Sequence, residues 1–190
     1  NGSTTQAFRW TVGDGMVGLG DLPGGAAQST AFDVSGDGNV IVGYSLATAG
    51  PEAFRWTAAG GMAGLGDLPG GAFRSFAHGV SANGSIVVGF AESALGDEAF
   101  VWTADNGMQR LADILITRGA GGFGGWILTN AMSISDDGTT VVGTGINPDG
   151  NREAFVANIA VVPVPSAAWL LGSALGLLGF QRSRSASSRS

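Results

Sequence analysis

Residues 31–71 read AFDVSGDGNVIVGYSLATAGPEAFRWTAAGGMAGLGDLPGG, and their alternation of short apolar runs with Gly-containing turns decides the fold class. Ala31 to Ser35 alternates and is short, which predicts a strand. Gly36-Asp37-Gly38-Asn39 is a turn, with glycine supplying positive φ. Val40-Ile41-Val42-Gly43-Tyr44 is β-branched and almost wholly apolar, the pattern of a strand buried on both faces. A small-residue loop is expected up to Glu52. Ala53 to Thr57 predicts a third strand, with Phe54 and Trp56 on one face by the two-residue period. Gly60-Gly61 turns the chain into a weaker, Gly-interrupted fourth strand, Met62 to Leu68, which ends at Pro69-Gly70-Gly71.

Outward from this stretch the same text recurs. AFRWT begins at Ala7 and at Ala53, AFVWT at Ala99 and AFVAN at Ala154. GLGDLPGG begins at Gly18 and Gly64, and GMQRLADIL stands in the corresponding place of the next unit. VSGDGNVIVG from Val34 returns as VSANGSIVVG from Val80 and ISDDGTTVVG from Ile134. A spacing near 45 residues with four short strands per unit matches one blade of a β-propeller. The expectation is an all-β, propeller-like array of four-stranded repeats over residues 1–160: a partial unit (1–25), two regular units (26–71 and 72–118) and a divergent one (119–160). An open, solenoid-like array is the alternative. No segment before residue 160 carries a sustained helical period with caps. Three and a half units fall short of the four to eight blades typical of a closed ring. The chain opens as NGSTTQAFRW, without Met or an apolar leader. Further units are therefore expected upstream. The divergent unit has a Gly-rich loop, Thr117 to Gly125, followed by Trp126.

Composition narrows the function. The 190 residues include 34 Gly, more than twice the usual share of about 7%, with no Cys and one His. Disulfides, thiolate metal sites, Cys nucleophiles and multi-histidine centres are thereby excluded. Residues 1–165 carry six Arg and all fifteen acids, a net charge of −9. Such a body does not attract phosphate backbones, so no nucleic-acid partner is expected.

The carboxyl end differs in kind. Pro163 and Pro165 interrupt an apolar stretch as VPVP. Residues 166–180, SAAWLLGSALGLLGF, then run fifteen positions without a charge, and the last ten carry Arg182, Arg184 and Arg189 with no acid. This is a marginal membrane segment, suited to a temporary stop, with the Arg cluster held on the cytoplasmic side. The layout resembles a PEP-CTERM sorting signal over roughly residues 161–185. That resemblance implies export in a Gram-negative bacterium, a transient inner-membrane segment, and processing near Val162, Pro163, Val164 and Pro165 by an exosortase-like membrane transpeptidase. The family pattern is Val-Pro-Glu-Pro, and Val164 replaces its Glu. The AFRW, GLGDLPGG and S-x-DG-x-VIVG blocks resemble the HAF family of extracellular repeats over nearly all of residues 1–157, a family mark that implies no established activity.

Candidate sites are few. Phe8, Trp10, Phe54, Trp56, Phe100 and Trp102 recur in register and are assigned to the repeat core, in preference to a row of sugar-stacking aromatics. Asp37, Asn83 and Asp137 are assigned to turn chemistry rather than to calcium, because no dense D-x-D-x-D run is present. Asp21 and Asp67 are expected to accept backbone N–H groups near the Pro-Gly-Gly turns. His78 reads as a lone imidazole in the place of Asp33. No catalytic residue, metal site or cofactor is assigned. The chain reads as an exported, non-catalytic scaffold or binding surface of the cell envelope or extracellular space. Two alternatives stand beside this: a carbohydrate-binding module of an exopolysaccharide or biofilm matrix, and a fragment of a propeller hydrolase or lyase whose active site lies in upstream blades.

Overall fold

The structure, a computed structural model, describes residues 5–160. Its architecture follows from where the chain reverses. Gly38, Gly84 and Gly138 occupy the same place in three turns at φ +72°, +69° and +73°, a conformation that a side chain with a Cβ resists. The strands they separate pair as antiparallel meanders. β1 (Phe8–Thr11) and β2 (Gly15–Gly18) form a hairpin. β3 (Gly24–Val34), β4 (Val40–Ala47), β5 (Gly50–Thr57) and β6 (Gly61–Gly64) form a four-stranded sheet in chain order. β7 (Gly70–Val80), β8 (Ile86–Ser93), β9 (Gly96–Thr103) and β10 (Gly107–Arg110) repeat it. β11 (Ile127–Ile134), β12 (Thr140–Ile146) and β13 (Arg152–Asn158) make a three-stranded sheet. The described residues thus form an all-β fold of four antiparallel sheets with one short helix.

The register repeats as closely as the sequence. Gly43 pairs with Phe54, Gly89 with Phe100 and Gly143 with Phe155. A Cβ on Gly89 would lie 1.9 Å from the Phe76 carbonyl oxygen and 2.9 Å from the Phe100 ring. This glycine is required because a bulged carbonyl and a ring both close over it. The bulge itself recurs, between Ala31 and Asp33, Ala77 and Gly79, and Ala131 and Ser133.

Several expectations need correction. The first strand of each unit begins at Gly24 or Gly70, not at the later Ala, because the Pro-Gly-Gly segment already lies beside the following strand. The loop expected before Glu52 contracts to a tight turn at Thr48 and Ala49. The fourth strand stops at Gly64, and Leu65 and Leu68 leave the sheet for the core. A helix stands where none was expected: α1 (Leu111–Thr117), with Leu111 and Leu115 buried one turn apart. LADILIT lacks the Gly and Pro of the corresponding LGDLPGG, so the segment coils and its two leucines still reach the core. No helix among the described residues is long and apolar enough to cross a membrane.

The core lies between units. β4 is buried on both faces, as its composition predicts. Val40 and Val42 join Leu65, Leu68, Ala77, Val80, Val87 and Phe100, while Ile41 joins Ala7, Leu19, Leu22 and Phe54 on the other side. Two junctions share one formula, the Leu-Gly-Asp-Leu segment of one unit meeting the Phe of the next, and at the third Leu111 and Leu115 of α1 pack with a partly buried Phe155. Buried serines stitch the first two. Ser29 Oγ accepts from Ala7 N at 3.1 Å and donates to Gly20 O at 2.8 Å. Ser75 repeats the arrangement with Ala53 N (3.0 Å) and Gly66 O (2.6 Å). The turns are joined as well, since Gly36 N donates to Ala82 O and Ala82 N to Asp136 O, both at 3.0 Å.

Candidate functional site

The six repeat aromatics do not share one fate. Phe54 and Phe100 are fully buried, and Trp56 and Trp102 pack half-buried against the clusters holding those rings. Phe8 and Trp10 are 54% and 62% exposed, which corrects their assignment to the core. Among the described residues nothing covers that face of the first hairpin. Each later Trp also lines a cleft with an Arg of the preceding unit, Arg9 beside Trp56 and Arg55 beside Trp102. Val162, Pro163, Val164, Pro165, Arg182, Arg184 and Arg189 lie outside the described residues, as does the apolar segment 166–180.

The turn residues behave as turn chemistry predicts. Asp37 Oδ1 accepts from Ser35 Oγ (2.6 Å) and Asn39 N (3.0 Å), while Ser35 Oγ accepts from Val40 N (3.0 Å). Asn83 and Asp137 hold the same position, with Ser81 and Ser135 as partners. The Ser35 hydroxyl and the Asn39 amide, both donating to the carboxylate, lower the Asp37 pKa to about 2, and Asp137 is lowered by the equivalent groups. Asp67 accepts from Leu68 N (2.9 Å) and Arg74 N (2.8 Å), but burial outweighs these bonds and raises its pKa. Asp21 departs from its repeat partner, because its Oδ1 is buried without a hydrogen-bond donor.

Another group of side chains, of which the sequence marked only His78, comes together in the structure. Phe32, Tyr44, Phe76, His78 and Phe90 form a continuous layer across two units. Ring centroids are 5.7 Å apart for Phe32–Tyr44, 4.7 Å for Tyr44–Phe76 and 5.0 Å for Phe76–Phe90, the last pair stacked within 11°. His78 touches both Phe32 (5.4 Å) and Phe90 (5.5 Å). The register corrects its equivalence: Asp33 and Gly79 share the pairing position after the bulge, so His78 takes the bulge position of Phe32. His78 Nδ1 lies 3.0 Å from Asn130 Oδ1 and donates to it. Burial lowers the His78 pKa despite that bond and so favours the neutral ring.

The layer ends in a cleft of about 290 Å³ between the second and third of the large sheets, lined by Phe90, Asp97, Asn130, Thr144, Arg152 and neighbouring apolar groups. Arg74 lies over the Phe90 ring, its guanidinium carbon 5.4 Å from the centroid. Its Nε donates to Glu92 at 3.0 Å, and a second nitrogen pairs with Asp97. Burial opposes the Arg74 charge, but these carboxylates outweigh it and raise its pKa. Glu153 takes the position that Glu52 and Glu98 hold in the preceding units, and Arg152 the one held by Pro51 and Asp97, so a cation replaces the Asp97 carboxylate there. The sequence signal for this site was the departure from the repeat. Equivalent positions read Thr30, Phe76 and Asn130, then Tyr44, Phe90 and Thr144. Phe76 is thus a ring at a position that the neighbouring units fill with Thr or Asn. Among the described residues no group of three or more His, Asp or Glu could hold a metal ion.

No protein-family model matches the chain, and no curated protein matches it. Solved structures do resemble its fold. One is TolB from Acinetobacter baumannii, at 13% identity and a TM-score of 0.54, covering 81% of this chain and 35% of that one. Another, described as a TolB from Agrobacterium tumefaciens, has 15% identity and a TM-score of 0.52, covering 81% of this chain and 58% of that one. The chain therefore spans about a third to three-fifths of the length of these structures. At such identities the likeness is one of fold, a β-propeller-like array of sheets.

Proposed function

We propose that this chain belongs to an exported repeat protein of the cell envelope or extracellular space that acts as a non-catalytic binding surface and is delivered by its carboxyl-terminal segment. The observation that carries the binding role is the aromatic layer. The recurring serines and turn carboxylates serve the units themselves, whereas Phe76, a ring where the neighbouring units have Thr30 and Asn130, joins Tyr44 and Phe90 into a layer that opens into a cleft. The TolB-like fold supports an envelope setting by analogy alone. Delivery rests on the sequence of residues 161–190. Export proceeds until the Leu-rich segment 166–180 stalls in the inner membrane. Arg182, Arg184 and Arg189 hold the cytoplasmic end, and an exosortase-like transpeptidase cuts near Pro163 and Pro165.

Fractionation of cells producing the full-length protein tests this. Replacing the three arginines with Glu, or deleting residues 166–190, is expected to shift the protein between membrane, periplasm and medium. An unchanged distribution in both variants overturns the sorting role.

A further inference from the structure

We infer that the ring layer Phe32–Tyr44–Phe76–Phe90, together with the cleft bounded by Asp97, Asn130, Thr144 and Arg152, binds a strand of neutral extracellular polysaccharide. This deepens the binding role proposed above and rests on it. Three features choose the ligand. First, the rings form a continuous row across two units instead of a single anchor. Phe76 and Phe90 stack on each other and Arg74 lies over Phe90, so the row offers a continuous strip of partly exposed ring surface, and such a strip suits a polymer whose sugar units each carry an apolar C–H face. Phe32 remains 46% exposed at the far end of the row.

Second, the row ends among planar hydrogen-bonding groups. His78 engages the Asn130 oxygen and so fixes the amide, leaving its N–H donors for a ligand. Asp97 supplies acceptors, Thr144 a hydroxyl and Arg152 a fork of donors along the same cleft. Such a set matches adjacent sugar hydroxyls, each both donor and acceptor. A purely apolar segment would leave these groups unpaired at a cost.

Third, the charge excludes polyanions. Residues 1–165 carry a net charge of −9. Arg74, the cation nearest the rings, is already held by Glu92 and Asp97. Arg152 alone does not offset that field for a chain of uronates or sulfates.

The test is binding of the purified full-length protein to a panel of linear neutral polysaccharides (glucans, mannans, galactans), with alginate as polyanion and a Phe-rich peptide as controls. Affinity electrophoresis gives retention, and calorimetry with hexasaccharides gives Kd. At least one neutral glycan is expected to bind. Phe76→Ala is expected to weaken it about three- to tenfold, and Arg152→Ala by a similar factor. Phe32→Ala and Arg152→Ala change exposed side chains, so they keep the test decisive if Phe76→Ala fails to fold. Retention by no neutral glycan, affinity unchanged in both exposed-site variants, or preference for alginate or the peptide each overturns the inference. Fractionation is independent of this outcome. Altered sorting with no glycan binding would remove the ligand class alone, whereas unaltered sorting with glycan binding would remove the delivery route alone.

Discussion

The string AFRWT occurs twice, at residues 7–11 and 53–57, and the two copies have opposite surroundings. In β5 the Phe54 ring is fully buried against Leu19 and Leu22, the leucines of the preceding GLGDL. In β1 the identical Phe8 is 54% exposed, because no described leucine pair faces it. Local sequence and local strand are the same, and the neighbour alone differs. The lesson is that a unit of this size does not shield its own aromatic face. Burial is a property of the junction, as expected where stability is a sum of units and nearest-neighbour interfaces.

The sharpest way to break this comparison is to cut the large rings at junctions. Phe100→Ala empties a site among Leu65, Leu68, Val42 and Val87 and is expected to cost about 3–5 kcal/mol in chemical denaturation. A loss below about 1 kcal/mol would mean that the units are held by something else. Next comes the glycine beneath that ring. Gly89→Ala puts a Cβ against the Phe76 carbonyl and the Phe100 ring and is expected to cost about 1–3 kcal/mol. Ser75→Ala removes the stitch between Ala53 N and Gly66 O and should cost about 2 kcal/mol, visible as faster amide exchange at Ala53.

Smaller effects sharpen the contrast. The Asp37 pKa is lowered from 3.8 to about 2 in the folded chain, and that of Asp137 is also lowered. A depressed carboxylate contributes stability that is present above the unfolded value and is lost as pH falls through the folded one. Denaturation midpoints should therefore decline between pH 4 and pH 2. Asp37→Asn, which copies Asn83 of the next unit, should flatten part of that decline. The smallest effect belongs to the exposed copy of the motif. Phe8→Ala should change stability by less than about 0.5 kcal/mol, against the large loss at Phe100. Comparable losses at the two positions would show that the Phe8 face is covered in the intact protein.

What could be read in advance was whatever repeats. Three turn blocks with glycine at one place, and β-branched runs between them, are local signals with local causes, and the strands and turns formed where those signals stood. α1 was hidden because seven residues with two leucines four apart give too short a period to separate a helix from the weak fourth strand it replaces. The ring layer was hidden for another reason. Phe32 and Tyr44 belong to one unit and Phe76, His78 and Phe90 to the next, and only His78 stands out within its own unit. Only strand pairing and the stacking of units bring them together. The equivalence of His78 with Phe32 was already in the chain, since both stand two places before the recurring Val34 and Val80 blocks, and the shared bulge leaves that alignment ungapped.

By itself the sequence determined the all-β class, the period, the turn chemistry and the acidic body, since each depends on residues close together in the chain. The tertiary structure alone decided which copy of a shared motif is buried, which leucines meet which rings, and where aromatic side chains from two units merge into one surface. Those outcomes depend on contacts between units, and a repeated sequence is silent about which of its copies has a neighbour.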